Sequence, residues 1–152
     1  MKVSEAMTGH VVIVSEDTPV RELARLMRER GISAAPVTDK AGRLTGIISE
    51  GDLIRELLPR YTEILEEERY LVDTEYTENR AEAVRHRPVA EIMTRGVFTI
   101  TEDAPLLKAA PLLQLKRIKR LVVVRGSDIV GLITRRDICK ALLGPSQECA
   151  RE

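Results

Sequence analysis

The feature that most constrains this chain is a repeat. VSEAMTGHVVIVSEDTP, from Val3 to Pro19, returns 86 residues later as VAEIMTRGVFTITEDAP, from Val89 to Pro105. Eight of these 17 positions are identical, against roughly one expected from average residue usage. Farther along, with one residue deleted from the intervening loop, GIISEGDLI (Gly46 to Ile54) returns as GLITRRDIC (Gly131 to Cys139). The 152 residues therefore read as two copies of one unit of about 55 residues. The expected division is a first copy over 1–58, a connector over 59–88, a second copy over 89–145 and a tail over 146–152.

Each copy reads as strand, helix, strand, strand, helix, an α/β (α+β) unit of β-α-β-β-α type. Val11 to Val14 is a short β-branched strand, and Thr18 with Pro19 supplies an N-cap and a first helical position. Val20, Leu23, Ala24 and Met27 then fall at i, i+3, i+4 and i+7, a one-faced helix that Gly31 can end. Ile32 to Val37, the turn DKAGR and Leu44 to Ile48 give strand, turn, strand, and a second helix over Glu50 to Leu58 stops before Pro59. The second copy repeats the order with Leu121 to Val124, the turn RGSD and Ile129 to Ile133. Pro111 falls inside its expected first helix, where an interior proline costs about 3 kcal/mol, so a kink or a late start is expected there. In the acidic connector, Ile64, Leu65, Leu71 and Val72 share a helical face, and Tyr61, Tyr70 and Tyr76 are the chain's three tyrosines.

Composition excludes several classes. With 43% apolar and 32% charged residues the chain can bury a core. MKVSEAMTGH has no apolar signal-like stretch and no run approaches the roughly 18 apolar residues of a membrane span, so a cytoplasmic location is expected. Cys139 and Cys149 show no metal-ligand or CxxC spacing. Net charge is zero overall, but residues 1–58 sum to −1, 59–88 to −3 and 89–152 to +4. An anion should sit in the last third.

The sequences MT, EDTPV, RGISAAPVTD and GIISEGD, with the second set MT, EDAP, RIKRLVVV and GLITRRD, resemble a tandem pair of CBS domains. The resemblance covers nearly the whole chain outside 60–88 and the last residues. It implies two repeats that associate through their sheets into a pseudo-two-fold disc with two ligand clefts, and clefts that take adenine nucleotides.

Such a ligand needs an apolar slot for its base, partners for the ribose hydroxyls and donors or cations for phosphate. Ser49-x-x-Asp52 and Thr134-x-x-Asp137 each place a hydroxyl at a strand end and a carboxylate on the first helical turn, where it can accept from both ribose hydroxyls. The same spacing is a capping box, and the two roles can coexist. The resemblance places the base near Ile32, Ser33 and Ala34 in the first copy and Ile118, Lys119 and Arg120 in the second, and adds Thr8 and Thr94 of the two MT dipeptides. Ile32 and Ile118 serve equally as core residues. Lys119 and Arg120 depart from the small-residue pattern, so they either crowd the base or reach phosphate. Arg135 and Arg136 follow Thr134 at a helix N-terminus, whereas Glu50 and Gly51 follow Ser49. With Lys116, Arg117, Lys119 and Arg120 nearby, the second cleft is the expected phosphate site.

The function expected is a non-catalytic regulatory module that binds an AMP-, ADP- or ATP-like ligand and signals by a conformational or oligomeric change. No resident cofactor is expected, and Mg²⁺ only in company with a nucleotide. His10 and His86 lack a paired nucleophile or metal-ligand spacing, and no GxxxxGK loop occurs. A homodimer is expected through an apolar helix face that includes Leu53, Leu57, Ile138 and Leu142. The alternative is a docking or accessory subunit with degenerate clefts and an unidentified protein partner. Nucleic acid is disfavoured by the scarcity of aromatics, Phe98 being assigned to a strand interior.

Overall fold

The computed structural model describes residues 1–58 and 74–144. Two three-stranded sheets and, among the described residues, five α-helices make up a mixed α/β fold that divides into two compact bodies.

The body formed by Val12–Val97 contains β1 (Val14–Ser15), α1 (Val20–Arg30), β2 (Ala34–Thr38), β3 (Leu44–Ser49), α2 (Glu50–Leu57) and α3 (Thr74–Arg85). β1 runs parallel to β2, and β2 antiparallel to β3. The expected helical stripe holds for α1: Val20, Leu23 and Met27 are buried, while Ala24 is exposed. Gly31 ends the helix in the left-handed region at φ 63°. These side chains close over Val14, Ala35, Val37 and Ile48 of the sheet, together with Val84, Val89, Ile92 and Met93. From Thr74 the connector is thus part of this body. Arg80 Nε donates to the Glu56 carbonyl at 2.9 Å, and Arg87 Nη1 lies 3.1 Å from the Glu56 carboxylate. Ile64, Leu65, Leu71, Val72, Tyr61 and Tyr70 lie outside the described residues.

Two elements differ locally from the expectation. The first strand is not Val11 to Val14 but the two-residue β1, and Pro36 explains why. In the second copy the matching strand is one residue longer, pairing Thr99 with Val122, and Val122 N–H donates to the Phe98 carbonyl at 3.2 Å. Pro36 occupies the place of Val122 and has no N–H to give. Thr18 does not cap α1 either: its hydroxyl meets Ser15 Oγ at 3.1 Å, and the Val20 amide donates instead to the Arg87 carbonyl at 2.9 Å.

The other body joins Met1–Val11 to Phe98 onward. It contains β4 (Thr99–Thr101), a 3-10 turn (Leu106–Lys108), α4 (Ala109–Leu115), β5 (Arg120–Arg125), β6 (Asp128–Thr134) and α5 (Arg135–Leu143). The sheet repeats the first, parallel then antiparallel, over a core of Val3, Ile100, Leu106, Ala109, Leu113, Leu121, Val123, Ile133 and Ile138. The helix starts late, as its proline requires. Pro111 is the third residue of α4, where its missing N–H has no intrahelical acceptor to lose, and the preceding turn is 3-10. Phe98 is not inside a strand: it precedes β4, is 38% exposed, and its ring lies under Lys116, whose Nζ is 5.1 Å from the centroid. Ile138 belongs to its own core rather than to an open face, while Leu142 is exposed and Leu53 and Leu57 are half-buried. Cys139 is exposed, and Cys149 lies outside the described residues.

Repeat and compact body therefore do not coincide. The leading segment of each copy packs with the strands of the other. Val3 N–H donates to the Ala104 carbonyl, Ser4 N–H to Glu102 and Leu106 N–H to Met1. In the matching places Val89 N–H donates to Thr18, Ala90 N–H to Glu16 and Val20 N–H to Arg87. Each MT dipeptide then crosses a strand edge: Thr8 exchanges both backbone hydrogen bonds with Leu132, and Thr94 exchanges both with Ile47.

Candidate functional site

The two hydroxyl-x-x-carboxylate turns stand where β3 runs into α2 and where β6 runs into α5. Both are capping boxes. Asp52 Oδ2 accepts from the Ser49 amide at 2.8 Å and its hydroxyl at 3.0 Å, while Ser49 Oγ accepts from the Asp52 amide at 3.4 Å. Asp137 Oδ2 accepts from the Thr134 amide at 2.8 Å and its hydroxyl at 2.7 Å, with the return bond at 3.2 Å. A polar strand terminus and an acid at N3 satisfy orphan amides at the start of each helix.

In the 12–97 body the turn gathers most of its expected companions. Ala34 stands opposite Ser49 in the ladder, and the Ser33 carbonyl accepts from the Glu50 amide at 3.0 Å, so that carbonyl already has a partner. Ile32 is half-buried against the core, its amide bonded to the Met27 carbonyl at 3.1 Å. Thr94 donates through its hydroxyl to Asp52 Oδ1 at 3.1 Å. Arg55, one helical turn along α2, also bonds Asp52 Oδ1. Asp52 is only 5% exposed, a buried carboxylate with protein donors on both oxygens.

The other body builds the same backbone with different side chains. Arg120 stands opposite Thr134, half-buried and engaged, and Ile118 is half-buried with its amide on the Leu113 carbonyl at 3.1 Å. Lys119 is exposed. Arg117 takes the place of Gly31 and keeps its left-handed conformation, at φ 52°. Thr8 holds its backbone position beside Leu132, yet Asp137 Oδ1 has no partner among the described residues, and Asp137 is half-buried. Arg135 and Arg136 are exposed at the start of α5.

Sequence reasoning missed three contributors. Arg55 looks like an ordinary helix-surface cation. Met93 and Met7 lie over Gly46 and Gly131, where a β-carbon would meet their sulfurs at 2.4 and 2.6 Å. The shared GI and GL dipeptides of the repeat are the signal that could have found them: glycine there is a requirement of close approach. Among the described residues, no group of three or more His, Cys, Asp or Glu side chains is placed to hold a metal, and no helix is long and apolar enough to cross a membrane. An open apolar groove of about 450 Å³ in the 12–97 body is lined by Val20, Ala24, Leu53, Leu57, Ala81 and Val84.

Comparison with known proteins gives a consistent picture. The family model described as CBS domain matches residues 3–59 and 89–144. An uncharacterized protein of Methanocaldococcus jannaschii, MJ1426, is 33% identical over 145 residues, covering 87% of this chain and 86% of that one. Some curated relatives are much longer, and the chain spans only 14% to 42% of three of them. The crystal structure of the CBS domain of a CBS domain containing membrane protein from Sphaerobacter thermophilus matches with TM-score 0.75 and 32% identity, over 95% of this chain and 89% of that one. CBSX2 in complex with AMP matches with TM-score 0.66 and 25% identity, over 93% and 96%.

Proposed function

Because the chain belongs to the CBS domain family, whose model matches both of its repeats, we propose that it is a non-catalytic regulatory module that binds an adenine nucleotide and signals through a change of conformation or assembly. The observation that carries this reading is Asp137: a half-buried carboxylate on the first turn of α5 with one oxygen unengaged among the described residues, beside the exposed cations of Arg135 and Arg136. That is the donor and acceptor set a ribose phosphate asks for. The AMP bound by CBSX2, a structural relative along nearly the whole chain, supports the ligand class. Thr8, Ile118, Lys119, Arg120 and Thr134 complete the proposed second site, and Ile32, Ser33, Ala34, Ser49, Asp52 and Thr94 the first. No resident cofactor enters the reading, and Mg²⁺ would accompany a nucleotide only.

Calorimetric titration with AMP, ATP and S-adenosylmethionine tests it. Saturable binding of at least one is expected, weakened roughly tenfold to a hundredfold by Asp137→Ala, the usual worth of a charge-assisted hydrogen bond. Unchanged affinity in that variant would remove Asp137 from the site.

The module is further proposed to act as a homodimer that covers exposed apolar side chains, Ile54 and Leu58 in one body and Leu142 and Leu143 in the other. A 17 kDa species in light scattering at tens of micromolar would refute this. A second reading, a docking subunit, draws on the apolar groove lined by Val20, Ala24, Leu53 and Leu57. Absence of binding by all three ligands would favour it.

A further inference from the structure

We propose that Arg55 decides which of the two sites is open, by occupying the carboxylate that a ribose would otherwise engage in the 12–97 body. This rests on the nucleotide-binding reading and deepens it.

An ionised carboxylate offers about four acceptor positions, two on each oxygen. Asp52 has all four filled from within its own body. Oδ2 takes the Ser49 amide and hydroxyl, while Oδ1 takes the Thr94 hydroxyl and the Arg55 guanidinium. Asp137 has its two Oδ2 positions filled by Thr134 in the same way, and nothing among the described residues on Oδ1. The backbones do not account for the difference. Thr8 pairs with Leu132 as Thr94 pairs with Ile47, and both turns are capping boxes. Two side chains make the difference. The Thr94 hydroxyl reaches Asp52 Oδ1, whereas no Thr8 bond to Asp137 is found among the described residues. The residue three positions after each aspartate, on the same face of the helix, is not the same cation. That residue is Arg55 in α2 and Lys140 in α5, and no ion pair joins Lys140 to Asp137 among the described residues.

Arginine suits this task better than lysine. Its planar fork reaches back along the helix and holds a carboxylate in a fixed geometry, whereas an ammonium on a flexible stem stays hydrated. A ribose hydroxyl needs at least one open acceptor position on the carboxylate to engage it. Asp137 offers two and Asp52 none, so the chain takes one nucleotide where its repeat would suggest two. Arg55 is itself largely exposed, so a ligand phosphate or a partner's acid that drew it away would free one position on Oδ1 beside the Thr94 hydroxyl.

The test exchanges the two residues. Calorimetry with AMP, and in parallel with ATP, is expected to give one nucleotide per parent chain. Arg55→Ala should raise this to two, while Lys140→Arg should weaken the parent site roughly tenfold or more by occupying Asp137. 2′,3′-Dideoxyadenosine monophosphate should bind the parent and Arg55→Ala about equally poorly, because the diol is what the carboxylates read. Circular dichroism confirms folding, and Lys140→Arg lies on an exposed position, so at least one arm survives if Arg55→Ala does not fold. Two nucleotides on the parent, one on a folded Arg55→Ala, or a Lys140→Arg protein that binds as the parent does would overturn this inference and leave the nucleotide reading standing. A parent that binds none of AMP, ATP and S-adenosylmethionine would overturn the nucleotide reading and this inference with it.

Discussion

The carbonyl oxygen of Thr8 stands 2.8 Å from the point where a β-carbon on Gly131 would lie. At Gly46 the matching carbonyl, that of Thr94, stands at 3.0 Å. The methionine sulfurs at both places can swing aside, but the carbonyl of a threonine pinned by one backbone hydrogen bond at its oxygen and another at its N–H cannot. Gly131→Ala should therefore destabilise by about 1–3 kcal/mol and Gly46→Ala by less. Urea midpoints of the two variants check the order, and equal midpoints would mean that the MT segment yields.

Arg117 occupies a left-handed conformation that its counterpart Gly31 adopts freely. An L-residue there costs roughly 1–2 kcal/mol, partly offset in exchange for glycine by the looser unfolded chain. Arg117→Gly should gain a few tenths to about 1 kcal/mol. Gly31→Ala should lose a similar amount, since a β-carbon at Gly31 meets nothing within 4 Å and only the backbone conformation counts. Thermal unfolding of both variants measures the pair.

Asp39 is held below its ordinary value of 3.8, first by the Arg43 amide and then by the Arg43 side chain and the Ala41 amide. Because the folded value is the lower one, its stabilisation is complete above about 3.8 and is lost as pH falls through the depressed folded value. Asp39→Asn keeps an acceptor for the turn amides but cannot titrate. Its urea midpoint should fall less steeply below about pH 4 than the parent's, and parallel curves would exclude Asp39 as a contributor.

Arg135 and Arg136 are exposed and should add little to folding. In the proposed site they meet phosphate, so the double change Arg135→Ala with Arg136→Ala should flatten the preference between AMP and ATP and lower the salt dependence of binding. Titrations at two ionic strengths decide it: an unaltered ATP affinity and salt slope would return both residues to a solvated surface.

Much of this was legible because repetition doubles every weak signal. The element order, the Gly31 stop and the late start imposed by Pro111 follow from local rules that each residue obeys on its own. The ends that went wrong were set by partners distant in sequence. β1 is short because a proline on its neighbour withholds a donor, and α1 is capped by the carbonyl of Arg87 rather than by Thr18. The site divides the same way. Both capping boxes were readable from spacing, but Arg55 was not, because the direction in which a long cation leans depends on which acceptors lie within reach. Phe98 went astray for a similar reason: its exposure follows from a place just outside β4 and a lysine above its ring.

The exchange of leading segments bears on the order in which the chain can fold as it is synthesised. Lys2 and Asp103 form an ion pair across a separation of 101 residues, and Thr8 waits for Leu132. The stretch Val12–Val97 is contiguous and emerges with all its partners, so it can close while synthesis continues. The first eleven residues must stay unpaired through that whole interval, and the body they complete bears the larger loop-closure cost. A break in the chain near Val11 would therefore spare one body and leave the other without its edge.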